Sequence, residues 1–505
     1  MSDLFYLRPR ILDQIALDAH SVIEASAGTG KTYTIENLVV EILVKAKATI
    51  DKILVVTFTE KATSELRARI RGALEAALSG KCDPGSEYRT ALDESMHDAL
   101  REALFAFDRA PIHTIHAFCH RMLTELAFQS GTSFSVEIID KQSAFHEAFR
   151  AELREHFAID EAAQNLLGTW LAKDDIEKLE RLLFDAHRLR YLATGDAARN
   201  EGAGDLALDI QVVDAFLPRV AKRLESIKRE RGVLDYDDML EWLARALDGR
   251  HGETLAASLR ERYRYALIDE FQDTDDLQWK IFRRIFVDGG GGNTVHLIGD
   301  PKQAIYGFRG ADVFAYGRAC RELFKLGIKP VHLIENFRST GKLIDAINLI
   351  FEQDADPAFF TGDIRYDRPV TCGRKESLAV NVGKKDVKPI TLLRMTSSKL
   401  SASRVSFAIG RRIAATVRDL LREGPGQLFV NGKSGKIEPL QAREVFILTR
   451  SNVESVKIGN FLREATVPFA FYKQEGLFQT HEAADIVDTL RAVLEPGMRS
   501  RRLKA

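Results

Sequence analysis

The chain has 505 residues, 45% hydrophobic and 29% charged, with 72 Lys and Arg against 73 Asp and Glu for a net charge of -1. That length supports several cores and about two to four domains, and the balanced charge excludes a global field for a polyanion. Any nucleic-acid binding therefore has to come from a local groove. Four cysteines, Cys82, Cys119, Cys320 and Cys372, form no CxxC pair, which argues against a zinc site or disulfide framework and suits a reducing cytoplasm. The N-terminal "MSDLFYLRPRILDQ" lacks the apolar core of a signal peptide, and no apolar run is long enough to span a membrane. A multidomain cytoplasmic protein with no membrane association is expected.

In chain order, short β-branched runs at 21–25 and 53–58 ("ILVVTF") each lead through polar residues into a helical pattern. From about 121 to 254 the chain is rich in Glu, Arg, Leu and Ala, as in "FHEAFRAELREHF" (145–157), which predicts a mostly helical insertion. Within it "EGAGDLALDI" (201–210) reads as a flexible loop. Two further strands are predicted at "YALIDE" (265–270) and "VHLIGD" (295–300), separated by the flexible run "DGGGGN" (288–293). Strands alternating with helices indicate an α/β fold with a parallel sheet that the insertion splits. From about 331 a second α/β region is expected, with "EVFILTR" (444–450) as a buried strand. No repeat of solenoid period is visible.

The stretch "ASAGTGKT" (25–32) fits G-x-x-x-x-G-K-[ST] except that Ala25 replaces the leading Gly. Such a loop points backbone N–H groups at phosphates, and the helix N-terminus that follows adds partial positive charge. Residues Ala25, Ser26, Ala27, Gly28, Thr29, Gly30, Lys31 and Thr32 are therefore the expected ATP cradle, with Lys31 on the β- and γ-phosphates and Thr32 on Mg²⁺. The acid pair that hydrolysis needs stands in "ALIDEFQD" (266–273): Asp269 is placed to hold the metal and Glu270 to deprotonate the attacking water. A solvated helix-start acid cluster is the competing explanation.

Six segments in order then resemble a family: "IEASAGTGKT" (23–32), "VVTFTEKATSELRARI" (55–70), "IHTIHAFCHRML" (112–123), "LIDEFQDTDDLQW" (267–279), "LIGDPKQAIYGFRGAD" (297–312) and "ENFRST" (335–340). They resemble the superfamily 1 DNA helicases of UvrD/Rep type, and within them the RecB family of exodeoxyribonuclease V beta chains; "GLFQTHEAADI" (476–486) continues the match more weakly. The resemblance implies P-loop NTPase (RecA-like) parallel-sheet domains with a mostly helical insertion. The expected division is 1–120 plus 255–330 as the first RecA-like domain (1A), 121–254 as the insertion (1B), and 331–505 as the start of the second RecA-like domain with an incomplete following region (2A/2B).

It also implies roles. Gln303 looks like the residue that senses the γ-phosphate and couples it to DNA, and Arg338 like the cation that meets the γ-phosphate. Phe337 resembles an adenine-stacking aromatic, with an ordinary core role as the alternative, and Gln14 the adenine-reading glutamine. Thr57, Phe58, Thr59, Tyr306 and Phe308 look like DNA contacts, hydroxyls and amides holding phosphates while rings stack bases for ~1–3 kcal/mol each. Thr114 and His116 resemble a further phosphate contact, although a lone His is more often structural. Asp235 in "GVLDYDDMLEWL" (232–243) matches the family but reads equally as a helix cap.

The implied activity is ATP-dependent 3′-to-5′ DNA unwinding in double-strand-break repair, on single-stranded or duplex-end DNA, with RecC- and RecD-like partner chains. The chain departs from the family in its last third. No "TxHxxKGLE" or "YVAxTRA" segment and no nuclease-type carboxylate cluster is found, so a second catalytic arginine is missing. The expectation is an N-terminal portion that binds ATP and DNA but hydrolyses weakly and does not unwind alone, with a non-motor nucleotide- and DNA-binding module as the alternative. A small-molecule kinase would leave "TFTEKA" and "DPKQAIYGFRG" without purpose.

Overall fold

The structure is a computed structural model that describes residues 4–80, 89–125, 137–189, 204–305, 307, 312–352, 358–360, 364–373, 379–381, 387–394, 401–431, 436–471 and 481–494. The chain divides into two compact units, 1–339 with 347–373, and 340–346 with 374–505.

The first unit is built on six strands: β1 (Ser21–Ala25), β2 (Ile53–Thr57), β3 (Ile112–Thr114), β4 (Tyr265–Ile268), β5 (Thr294–Gly299) and β6 (Pro330–Leu333). They lie in the order β6-β1-β5-β4-β2-β3 with every neighbouring pair parallel. The four strands expected in the first α/β region are all present. β1 and β2 come before the insertion and β4 and β5 after it, so one sheet is interrupted in sequence and continuous in space.

Alternate residues of these strands face opposite cores. Val22, Leu54, Val56, Ala266, Ile268, Val295 and Leu297 pack into one. Ile23, Ile53, Val55, Tyr265, Leu267 and Ile298 pack into the other. Burial on both faces is why these strands read as continuous apolar runs without polar alternation. Helix α1 (Lys31–Lys45) is buried almost throughout and, with α2 (Glu60–Ser79), covers the second core. Helices α3 (Ile115–Glu125), α4 (Tyr236–Asp248) and α5 (Gly252–Arg262) cover the first.

The helices between residues 141 and 231 have their own core, centred on Phe145, Phe149, Phe157, Leu183, Val212 and Phe216. Chain entry and exit to it are closed by a two-residue parallel pair, Glu137–Ile138 with Val233–Leu234. The expected loop at 201–210 is corrected where it is described, because a helix already starts at Gly204. Leu208, Val212, Phe216, Val220 and Leu224 recur every four residues along one buried stripe, and this periodicity outweighs the glycines at its start. Asp235 caps α4 in a reciprocal capping box with Asp238, and also holds the Lys228 ammonium at 2.7 Å. That is a structural assignment for the residue left open by the sequence.

The second unit contains three short antiparallel strands, Ala379–Asn381, Leu428–Asn431 and Ile437–Pro439. Its helices Ala402–Leu421 and Asn452–Glu464 share a small core of Ala414, Val417, Leu462 and Val467. The expected strand at 444–450 is not one: a 3₁₀ turn occupies Ala442–Glu444, and the residues after it join no ladder among the described residues. Val445 and Ile447 pack on the small core while Phe446 and Leu448 are 84% and 93% exposed. An extended segment with one face packed has the same two-residue alternation as a strand. No helix among the described residues is long and apolar enough to cross a membrane.

Candidate nucleotide and DNA site

Each of the six motif segments runs past the carboxyl end of a strand of the main sheet, where parallel α/β sheets place their ligands. β1 ends at Ala25 and α1 begins at Lys31. Between them the Thr29 hydroxyl and amide both donate to the Ser26 carbonyl, at 2.7 and 3.2 Å, closing a tight loop under the free N–H groups of α1.

Gly28 sits at φ 77°, in the left-handed region. A Cβ there would lie 2.7 Å from Arg338 Cβ and 2.9 Å from Asn336 Nδ2, so the position needs glycine for close approach as well as for its backbone angle. The segment after β6 is stitched to the loop. Phe337 N–H donates to Gly28 O (2.9 Å) and Asn336 Nδ2 to Ala27 O (2.7 Å), while Asn336 Oδ1 accepts from the amides of Arg338 and Ser339 (2.8 Å each). Arg338 is thereby held beside the cradle, exposed and in no ion pair among the described residues. Asn336 is a residue that sequence reasoning missed. Its only signal was a buried-type amide inside "ENFRST".

Asp269 directly follows β4, and its N–H continues the ladder to Val56 O (2.8 Å). Burial pushes its carboxyl up to about 6, partly offset by Lys31 and reinforced by Glu270. Lys31 Nζ lies 3.9 Å from Asp269 and forms a closer ion pair with Glu270. Glu270 adopts φ 53°, ψ 40°, a left-handed backbone that costs a non-glycine residue on the order of 1–3 kcal/mol. Glu270 is therefore strained into place beside a buried Asp269 at a strand end, which counts against the solvated-cluster explanation.

A hydrogen-bond chain runs on from Glu270. Gln272 Nε2 donates to Glu270 Oε2 (2.7 Å), Gln272 Oε1 accepts from Asp300 N–H (3.0 Å), and Asp300 Oδ2 accepts from Gln303 Nε2 (2.8 Å). The chain joins the end of β4 to the end of β5 and reaches the expected sensor Gln303. Gln272 and Asp300, both buried, were not singled out by the sequence, although each lies beside a residue that was.

The residues present fit a divalent cation. The Thr32 hydroxyl has no hydrogen-bond partner among the described residues, whereas Thr29 and Thr34 both donate to backbone carbonyls. Asp273, raised to about 6 by burial and by Glu270, keeps one carboxylate oxygen buried without a partner. Among the described residues no group of three or more His, Cys, Asp or Glu forms a dedicated cage. The Thr32 hydroxyl and the Asp269 carboxylate, 3.9 Å from the cradle lysine and backed by Asp273, are the donor set that suits Mg²⁺.

The remaining expected contacts are placed less centrally. Gln14 is exposed at the end of a 3₁₀ turn and makes no hydrogen bond to the cradle among the described residues. Phe337 is 49% exposed, so it is not a core side chain. The Thr57 hydroxyl is buried against Thr63 (2.6 Å), Thr59 caps α2 by accepting from Ala62 N–H, and Phe58 lies between them, half-buried. Thr114 donates to Glu60 (3.0 Å) and accepts from Ala117 N–H. His116 packs edge-on to Tyr236 at 5.3 Å, and burial lowers its pKa. Tyr306 and Phe308 lie outside the described residues.

A cradle and lysine after one strand and an acid pair after another, at the same end of one parallel sheet, define a P-loop nucleoside triphosphatase. The chain belongs to the UvrD/REP helicase family: the family model for the UvrD/REP helicase N-terminal domain matches residues 12–323, and that for the UvrD-like helicase C-terminal domain matches 331–499. It is similar to proteins named RecBCD enzyme subunit RecB. The one from Escherichia coli (strain K12) is 28% identical over 96% of this chain and 50% of its own length. The one from Mycolicibacterium smegmatis is 31% identical over 94% and 42%, and the one from Haemophilus influenzae 27% identical over 96% and 52%. The chain thus spans about half the length of these curated relatives.

Proposed function

We propose that the chain is the ATP-driven motor portion of a 3′-to-5′ DNA helicase of RecB type. Its track is single-stranded DNA at duplex ends, its partners are RecC- and RecD-like subunits, and its setting is double-strand-break repair and recombination in the cytoplasm. On this reading 1–120 with 255–330 form the first RecA-like domain, 121–254 the insertion and 331–505 the start of the second, with β6 carrying the first past its expected end. The observation that supports it most is the convergence of Lys31, Asp269, Glu270, Arg338 and the Gln303 chain on one cradle. The RecB names of the relatives support the pathway and partners.

In this mechanism the N–H groups of 27–28 and 30–32 receive the phosphates. Lys31 exchanges its ion pair with Glu270 for the β- and γ-phosphates, which frees Glu270 to take a proton from the attacking water. Thr32 and Asp269 would hold Mg²⁺, and the ion would supply positive charge to offset that on the phosphate oxygens. Arg338 offers a planar guanidinium to the charge that develops on transfer. Gln303 carries the state of the γ-phosphate to the DNA-contacting loop, and Asp300 and Gln272 carry it back to Glu270.

A second reading is a nucleotide- and DNA-binding module without autonomous unwinding. It draws on the second unit, whose strands form no parallel sheet among the described residues, because stepping along DNA needs two domains that grip alternately. ATP hydrolysis with and without single-stranded DNA, together with strand displacement from 3′- and 5′-tailed duplexes, separates the two. The motor reading expects DNA-stimulated hydrolysis and displacement from the 3′ tail only. Binding of both ligands with no displacement selects the module, and hydrolysis indifferent to DNA contradicts the motor.

A further inference from the structure

The opposite end of the main sheet carries a second polar cluster. β2, β4 and β5 are neighbours through β4, and the residues directly ahead of them are Lys52, Arg264 and Asn293. The three are tied in series by Arg264 N–H to Lys52 O and Thr294 N–H to Arg264 O, each 2.9 Å. With Lys47 and Arg260 they line an open depression of about 380 Å³. Its lining holds four cations, Lys47, Lys52, Arg260 and Arg264, against the single carboxylate of Glu261, on a chain whose total charge is -1.

Some of this charge has a local explanation. α1 and α5 both end here, and cations complement the exposed carbonyls of helix C-termini. Arg260 is paired with Glu253, and Lys52 donates to Glu261 O at 2.7 Å. Arg264 lies over the Tyr265 ring at 5.4 Å, which leaves its charge, like that of Lys47, unmatched by an anion among the described residues. Both are exposed, and neither forms an ion pair among the described residues. Lys47 also holds a left-handed backbone (φ 51°) that a lysine seldom adopts.

Gly291 and Gly292 form part of the rim, and the glycine run is anchored at its two ends, Gly289 and Asn293. A Cβ at Gly289 would lie 2.6 Å from Arg260 Cδ, and Asn293 Nδ2 donates to Arg260 O (2.8 Å) and Tyr263 O (2.7 Å). No aromatic side chain lines the depression, so it offers no platform for unpaired bases. Phosphates are the groups it can hold, and a duplex presents phosphates with its bases turned inward.

We propose that this cationic depression is a contact for the phosphate backbone of duplex DNA, on the sheet edge away from the nucleotide cradle. The choice of polyanion rests on the DNA-acting function proposed above. Binding of a short blunt fluorescent duplex, followed by anisotropy between about 50 and 200 mM salt, tests it in the wild type and in Lys47→Gln/Arg264→Gln. Removing two phosphate contacts is expected to weaken binding at low salt and to shrink the salt-induced loss of affinity about tenfold. The charge-keeping pair Lys47→Arg/Arg264→Lys is expected to retain the wild-type slope. MgATP affinity, which reports folding and the cradle, is expected to be the same in all three, so failure here leaves the nucleotide site standing. Equal salt slopes in wild type and the Gln pair overturn the proposal and reduce the cluster to a complement of helix ends. Duplex binding unchanged by the Gln pair, with loss of binding to a polyglutamate peptide, overturns it in favour of an acidic polypeptide.

Discussion

His296 shows how a single side chain in the sheet ties stability to pH. It lies in β5 with no exposed surface, Nδ1 is 2.7 Å from the Ser21 hydroxyl, and Nε2 is buried without a partner. Burial, assisted by His20, pushes its pKa down to about 3, so it stays neutral when folded. The unfolded chain binds the proton below about pH 6.5, so stability is complete above that value and is lost as pH falls toward 3. Relative to His296→Asn, the wild type is expected to lose about 2 kcal/mol more between pH 6.5 and 5, measured by urea unfolding. Asp269 and Asp273, whose raised values act in the opposite sense, are common to both proteins and cancel in the difference. Parallel pH profiles would contradict this account of His296. Residues of this kind are hard to read in sequence, because "VHLIGD" shows a histidine in an apolar run but not the second strand that supplies Ser21.

Between elements, the chain Glu270–Gln272–Asp300–Gln303 links the ends of β4 and β5. Its worth is testable as a coupling free energy, the factor by which single-stranded DNA changes MgATP affinity. Gln272→Ala is expected to cut that factor about tenfold while leaving ATP affinity without DNA nearly unchanged, since Gln272 touches the acid and not the cradle. Gln272→Glu, which cannot donate to Glu270, is expected to share the defect. Undiminished coupling in both variants, measured by nucleotide titration with and without an oligonucleotide, would remove the relay from the mechanism. The cradle and the acid pair were legible because each is a contiguous motif whose spacing carries its chemistry. The stitch from Asn336 to Ala27, residues 309 apart, was not, because it depends on β6 pairing with β1. The residues at 444–450 misled for a different reason: Val445 and Ile447 alternate with Phe446 and Leu448 on an extended segment that has no ladder partner among the described residues.

Over the whole molecule, a balanced net charge hides two local fields at opposite edges of one sheet. At the carboxyl edge Lys31 meets Asp269 and Glu270, with Arg338 beside the cradle; at the amino edge Lys47 and Arg264 form no ion pair among the described residues. The overall α/β plan was legible because fully buried parallel strands and amphipathic helices have distinct periods. The division of the packing around the main sheet into two cores was not, since it follows from which face each alternate strand residue takes. The central claim is that the cradle and the acids bind a nucleoside triphosphate together with Mg²⁺. Isothermal titration of ATP into the whole chain, with Mg²⁺ and with EDTA, tests it most directly. Saturable binding that needs Mg²⁺ and is abolished by Lys31→Ala is the expected result; no binding by folded protein, or binding indifferent to Mg²⁺ and to Lys31, would contradict it.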